Sequence, residues 1–283
     1  MLTAAEIDDL REGFVGDALT DKADCPMCGS SSNRVDDAKN IHPDKPVTFE
    51  LRACVACGHC WTSPFPSQRF LDHLYRSGSH SVIGEGWDLE QKVRFTVPED
   101  MVRAATCRLV PGHYLEVGVG KGLLYSTYLQ DGWQCQGVEP GEWGSSLPGV
   151  VSSMGDLPAN ASFDVVVALD VLEHVADPVG MLREIRPRMA LEARIYLAFP
   201  NRDSLRFALQ KGKWRMVRPI GHVHFFSKRS VVKMLSRSGL VTESIRTTDL
   251  LRIGDIRKPL TAAAYVAQEL GWGDQFVVTA RLE

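Results

Sequence analysis

Hydrophobic positions fall into two regimes along this chain. Up to about residue 97 they are sparse and irregular. Ile7, Leu10 and Phe14 share helical spacing and predict a short amphipathic helix within residues 1–20. Residues 24–65 carry only two short β-like stretches among Cys, Gly and Pro clusters and end at Pro64-Phe65-Pro66, the composition of a small, loop-rich module. Ser67 then reads as an N-cap for a helix bearing Phe70, Leu71, Leu74 and Tyr75, which stops near Ser77-Gly78 ahead of a loop over 77–86.

From residue 98 the pattern changes to alternating strand and helix periods. Pro98 with Glu99 and Asp100 opens a helix, His113–Val117 is a short buried strand running into Gly118, and Lys121 to Leu129 reads as a helix. Cys135–Val138 predicts a second strand. Phe163–Leu169 is nearly all apolar, as a strand covered on both faces of a parallel sheet must be. Asp177-Pro178 supplies an N-cap and a first-turn Pro ahead of an apolar face of Met181, Leu182, Ile185 and Met189. A strand over Ile195–Phe199, a helix over Ser227–Ser238 and a closing strand over Phe276–Thr279 complete an α/β, doubly wound, Rossmann-like domain. The expected division is 1–66 for an N-terminal helix and metal-stapled module, 67–110 for a helical linker or lid, and 111–283 for the α/β domain.

Composition narrows this picture without redirecting it. Of 283 residues, 44% are apolar and 24% charged, with a formal charge of -3, which excludes collagen-like, coiled-coil and wholly disordered chains. No apolar run approaches the roughly 18 residues of a membrane-spanning helix. Glu6, Asp8 and Asp9 stand where a secretory signal needs basic charge, so a cytoplasmic protein is expected.

The seven cysteines change the picture more, because five lie between positions 25 and 60. In a reducing compartment, Cys25-x-x-Cys28 and Cys54-x-x-Cys57 are better explained by a metal than by disulfides. Each knuckle is followed by a glycine, Gly29 or Gly58, where the backbone must turn. Four thiolates suit tetrahedral zinc and leave no open position, so the expected ion is structural. Cys60 and His59 are then bystanders, and Cys107 and Cys135 small hydrophobes. Between Cys25 and Trp61, Arg34, Lys39, Lys45 and Arg52 cancel Asp36, Asp37, Asp44 and Glu50, so a nucleic-acid partner is not expected.

The sharpest local signal is Leu115-Glu116-Val117-Gly118-Val119-Gly120-Lys121-Gly122 at a strand–helix junction. Glycines there permit a tight turn and close backbone approach to a ligand. Position 123 is Leu, so the loop departs from the Gly-x-Gly-x-x-Gly spacing of dinucleotide sites. The acid-x-Gly-x-Gly-x-Gly loop, Val138-Glu139, Ser162–Val167 leading into Asp170-Val171-Leu172-Glu173-His174-Val175, Phe199-Pro200-Asn201 and Gly221–Ser227 follow one another in order. Together, over residues ~110–245, they resemble class I S-adenosylmethionine-dependent methyltransferases. The resemblance implies that Gly118, Gly120 and Gly122 give backbone access to S-adenosylmethionine and that Glu116 contacts its amino-acid end. It further implies that Glu139, 23 residues beyond Glu116, accepts from the ribose hydroxyls. Asp156 is the candidate for the adenine amino group, with a turn acid as its alternative, and Asp170 completes the cofactor set. The four-cysteine lead and Trp61–Ser67 resemble a subgroup that includes sugar C-methyltransferases, which implies a sugar-type or natural-product acceptor.

Methyl transfer is an in-line displacement, so the enzyme's task is alignment, with a base only where the acceptor carries a proton. His174 follows a strand's carboxyl end, where open α/β sheets bind ligands, and His222 and His224 alternate along an extended stretch, placed to face the same crevice. Each histidine has a structural hydrogen-bonding role as its alternative, and Asn201 either orients the acceptor or caps a turn. Tyr75 and Trp87 are candidates for a lid or for aromatic core. From Arg202 to Arg229, Arg202, Arg206, Lys211, Lys213, Arg215, Arg218, Lys228 and Arg229 face the single acid Asp203, a net +7 that suits either a solvated face or recognition of an anionic acceptor. The expected partner is a small anionic or polar metabolite. RNA or protein methylation, or a catalytically idle cofactor-binding scaffold, are the competing readings.

Overall fold

A computed structural model of the chain describes residues 19–20, 22–40, 48–76, 96–141, 146–218, 221–248, 266 and 268–283. The helix expected around Ile7, Leu10 and Phe14, the 77–86 loop and Trp87 lie outside the described residues.

The cysteine-rich region forms strands β1 (Leu19–Thr20), β2 (Asn33–Asn40), β3 (Thr48–Cys54), β4 (Cys60–Ser63) and β5 (Phe65–Pro66). β2, β3 and β4 make an antiparallel meander, while β5 pairs with β1. Helix α1 (Gln68–Arg76) follows, with the Ser67 hydroxyl accepting from the Phe70 N–H at its start. Helix α2 (Val97–Thr106) opens on a reciprocal cap between Thr96 and Glu99, one residue before Pro98.

The α/β domain then runs β6 (His113–Val117), α3 (Leu123–Gln130), β7 (Gln134–Val138), β8 (Val150–Val151), β9 (Phe163–Leu169), α4 (Pro178–Ile185) and β10 (Met189–Pro200). It continues through α5 (Leu205–Gln210), β11 (His224–Phe225), α6 (Lys228–Arg237), β12 (Leu240–Thr248) and β13 (Gln275–Leu282). Seven of these strands form one sheet in the order β12-β13-β10-β9-β6-β7-β8, six of them running the same way and β13 antiparallel to both neighbours. This is a Rossmann-like, doubly wound sheet. Strand order reverses between β6 and β9, which opens a crevice at the carboxyl ends of those two strands.

Burial explains the apolar run of β9. Val166 and Ala168 pack into one core cluster with Leu115 and Leu197, whereas Val165 and Val167 pack into another with Tyr114 and Tyr125. Both faces are covered, and each fully buried Val or Leu contributes roughly 1.5–3 kcal/mol. The Asp177 carboxylate caps α4 by accepting from the Gly180 N–H. Met189 does not extend that helix: it begins β10, whose pairing with β9 shifts between Met189 and Arg194. β12, with its polar LVTESIRTT pattern, has no apolar run to announce it because it is an edge strand supported on one side by β13.

One strand crosses between the two regions. β11 leaves the α/β domain and adds to the meander, His224 opposite Trp61 and Phe225 opposite Cys60, so the cysteine-rich sheet takes its fourth strand from residues 224–225.

Candidate active site

A cavity of about 650 Å³ occupies the β6/β9 crevice. Its first half comes from the ends of β6, β7 and β8. Gly118, Gly120 and Gly122 all have positive φ, near 79°, 52° and 74°. Nothing lies within 4 Å of where a Gly120 Cβ would stand, whereas one at Gly118 would strike Val171. A Gly120 side chain would therefore project into ligand space, in a backbone conformation that L residues disfavour. Glu139 closes the loop from below: its two carboxylate oxygens accept from the Gly120 and Gly141 N–H groups, each at 2.8 Å. Ser152, Ser153, Met154 and Gly155 complete this wall.

The second half is assembled from α1, the segment after β9, and residues 215–218 and 221–222. Asp170, at a positive φ of 55°, accepts from the Gln275 amide and lines the cavity. The Tyr75 hydroxyl and His174 Nδ1 lie 2.5 Å apart, and both reach the Gly221 carbonyl, at 3.3 and 2.7 Å. His222 packs edge-on against His174, ring centroids 4.6 Å apart. Glu173 is fully buried behind them, with Oε1 3.8 Å from His174 Nε2 and neither oxygen hydrogen-bonded among the described residues. Burial, then the neighbouring Asp170 charge, pushes the Glu173 carboxyl well above the usual carboxylate range. Burial and then His174 hold His222 well below the ordinary imidazole range, so it stays neutral. Arg215 and Arg218 bound the same side.

Several residues singled out in the sequence lie elsewhere. His224 is fully buried among Phe65, Phe226 and His59, with Nδ1 3.1 Å from His59 Nε2. It does not share the crevice with His222, because the His222 N–H bonds back to the Arg218 carbonyl and the chain becomes extended only at His224. Asn201 is likewise buried away from the cavity. Its amide donates to the Gly271 and Gly273 carbonyls and its oxygen accepts from the Asp203 N–H, the turn-capping alternative. Asp156 binds the hydroxyls of Ser152 and Ser153, and burial plays little part in its lowered pKa, whose leading cause is the Ser153 bond. The cavity wall there is Ser153–Gly155 instead. Glu116 sits beneath the loop, accepting from the Tyr114 hydroxyl at 2.6 Å. Tyr75, carrying only a core-like helical spacing, gave no sequence signal for its contact with His174.

The basic run resolves into two parts. Arg202 pairs with Asp36 and donates to the Cys60 sulfur, Lys211 also pairs with Asp36, the Gly212 N–H donates to Asp37, and Arg206 pairs with Asp274. Arg215 and Arg218 instead face the cavity.

Away from the cavity, the sulfurs of Cys25, Cys28, Cys54 and Cys57 lie within 4.8 Å of one another, with Cys25–Cys57 at 3.6 Å and Cys28–Cys54 at 3.5 Å. The knuckles repeat one geometry. Gly29 and Gly58 both have φ near 75°, and their N–H groups donate to the Cys25 and Cys54 carbonyls.

The geometry points to a class, and comparison with known proteins agrees. The family profile described as "Methyltransferase domain" matches residues 91–245, more than half of the sequence. The chain belongs to the methyltransferase-domain family, within the S-adenosylmethionine-dependent class. Among its relatives is the ubiquinone biosynthesis O-methyltransferase of Vibrio campbellii, 26% identical over 152 residues, which covers 46% of this chain and 64% of that protein. The Vibrio vulnificus protein of the same name is 26% identical over 184 residues, covering 56% and 78%. The Burkholderia thailandensis 1,6-didemethyltoxoflavin-N1-methyltransferase, solved with its ligand and S-adenosylhomocysteine, superposes with a TM-score of 0.53 at 15% identity, over 87% of this chain and 99% of that one. A Thermotoga maritima S-adenosylmethionine-dependent methyltransferase, described as a possible histamine N-methyltransferase, gives 0.51 at 20% identity, over 75% and 100%. At these identities the structures speak for the fold alone.

Proposed function

We propose that this protein transfers a methyl group from S-adenosylmethionine to a small anionic or polar acceptor, of sugar or natural-product type. The observation that carries the reading is the division of one cavity into a glycine-and-acid half at Gly118, Gly120 and Glu139 and a basic, histidine-lined half at His174, His222, Arg215 and Arg218. The residues present fit the cofactor. Gly120 leaves open space against the cavity, and Glu139 stands at a strand end where each oxygen retains a lone pair for a ribose hydroxyl. When bound, the cofactor supplies an electrophilic methyl group. The chain's own residues then align the acceptor and exclude water. Arg215 and Arg218 attract and orient an anion, and His174, held in place by the Gly221 carbonyl and Tyr75, accepts the acceptor's proton where there is one.

The four cysteines hold structural zinc in this reading. A tetrahedral ion with Zn–S bonds of about 2.3 Å requires sulfurs about 3.8 Å apart, close to the separations between the two cysteine pairs. One zinc per chain, measured by metal analysis, is the expected stoichiometry.

Calorimetry tests the cofactor assignment. S-adenosylhomocysteine should bind and NAD should not, and Glu139→Ala combined with Gly120→Val should weaken S-adenosylhomocysteine at least tenfold. Tight NAD binding, or an unchanged affinity in the double variant, would sink the assignment.

A further inference from the structure

The acceptor half of the cavity is only partly built by the α/β sheet: Asp170 and His174 follow β9, whereas Arg215, Arg218 and His222 come from a later segment. Residues 215–218 and 221–222 lie between β10 and β11, and the described residues before and after them pack on the cysteine-rich region. Phe207, Trp214, Val217 and Phe225 form one buried cluster with Leu51, Ala53 and Cys60 of β3 and β4. Polar contacts fasten the same segment. Asp36 of β2, only 7% exposed, pairs with Arg202 at 3.3 Å and Lys211 at 3.7 Å, and Asp37 accepts from the Gly212 N–H at 2.5 Å. Beyond His222, Val223 accepts from the Thr62 N–H and β11 pairs with β4. The segment is therefore anchored to the cysteine-rich sheet on both sides of Arg215, Arg218 and His222. By contrast, Gly118, Gly120 and Glu139 hang from β6 and β7, whose pairing is confined to the large sheet.

We infer that the cysteine ribbon is the positioning platform for the acceptor wall, and that Asp36 and Asp37 are its positioning residues. The cysteine knuckles fix β3 and β4, the acids of β2 clamp Arg202, Lys211 and Gly212, and the clamp sets where Arg215, Arg218 and His222 stand. The cofactor half takes its strand pairing from the large sheet alone. The inference rests on the proposed function only for which half takes the acceptor, since the clamp itself is a matter of the contacts above. Three ion pairs, from Arg34, Arg202 and Lys211, share the nearly buried Asp36 carboxylate and form a network, the case in which such pairs contribute most.

Full-length chain carrying Asp36→Asn and Asp37→Asn provides the test, with hydrogen exchange followed by mass spectrometry, S-adenosylhomocysteine calorimetry and zinc analysis on one preparation. Amides of 211–218 should exchange at least tenfold faster than in the parent, the Gly212 amide first because its ionised acceptor is replaced by a weaker, neutral amide oxygen. Strands 113–117 and 163–169 should keep their protection, zinc should be retained, and S-adenosylhomocysteine affinity should stay within twofold. The charge-retaining pair Asp36→Glu and Asp37→Glu should exchange slowly, like the parent. Stripping the metal from the parent with a thiol-directed reagent should open 205–225 while leaving cofactor affinity in place. Unchanged exchange over 211–218 in the Asn variant would overturn the clamp. Cofactor affinity falling in parallel would make the ribbon a support for the whole fold and overturn the division. Parent protein that fails to bind S-adenosylhomocysteine would sink the proposed function while the exchange data still decide the clamp.

Discussion

Two histidine pairs stand among the described residues of this molecule, and they differ in what surrounds them. His174 and His222 meet edge-on at the wall of a 650 Å³ cavity, beside Tyr75, Arg218 and a buried Glu173. His59 and His224 meet through a 3.1 Å ring-to-ring hydrogen bond in a sealed pocket of Trp61, Phe65 and Phe226. Burial depresses the pKa of His222 and of both sealed residues, and each of the three has a ring nitrogen with no hydrogen-bond partner among the described residues. A perturbed pKa therefore does not separate a cavity-lining histidine from a sealed one here. Access to a cavity does.

The largest expected effect breaks the two pairs apart directly. His174→Ala should lower the methyl-transfer rate by roughly 10²–10⁴-fold while leaving S-adenosylhomocysteine affinity and the unfolding midpoint close to the parent's. His224→Ala should do the reverse: a loss on the order of 3 kcal/mol from the cavity left among aromatic rings, with a near-parental rate per folded molecule. Steady-state kinetics beside urea unfolding measures both. A rate collapse at His224 with intact stability would erase the distinction.

A second, smaller effect lies in the pH dependence of stability. Burial, then Lys22, lowers the His224 pKa to about 3. In the unfolded chain the same imidazole titrates near its ordinary value of about 6.5. Between these limits the unfolded state binds a proton that the folded state refuses, so stability rises with pH and is lost as pH falls from 6.5 towards 3. The slope is about 1.4 kcal/mol per pH unit for one such group. Urea unfolding at pH 7 and pH 5 should show this loss in the parent and a flatter dependence in His224→Phe. An equal slope in the variant would assign the acid sensitivity to other groups.

How much of this was legible in the sequence follows from how local each signal is. The β9 run was read with its observed bounds, because a strand covered on both faces must be apolar throughout. The Asp177 cap and the cysteine knuckles were equally legible, since their partners lie within a few residues. The His222/His224 pair misled, because period-two alternation holds only in extended chain and a turn closes at His222. The basic run was legible only in part, for a longer-range reason: Asp36 pairs with Arg202 and Lys211 from 166 and 175 residues away. Charge counted along the chain cannot contain that. Tyr75 was read as lid or aromatic core, and its contact with His174 escaped for the same cause, the partner lying 99 residues downstream.

The smallest effect sharpens the comparison at the cavity wall by using the two ends of the basic run as its own control. Arg215 and Arg218 line the cavity, and burial, then Arg215, lowers the Arg218 pKa, as expected of two guanidinium groups placed close together with few anions. Lys228 and Arg229 carry the same charge on exposed positions at the start of α6, outside the cavity lining. If the wall recognises an anion, Arg215→Glu with Arg218→Glu should raise the acceptor KM roughly tenfold at low salt, and the ratio to the parent should shrink as ionic strength approaches 1 M, where the Debye length is about 3 Å. Lys228→Glu with Arg229→Glu makes the same change in net charge and should leave KM within about twofold. Equal effects from both pairs would mean that the field of the whole surface steers the acceptor. No effect from either would mean that the acceptor is neutral and that His174 and its neighbours align it by hydrogen bonding alone.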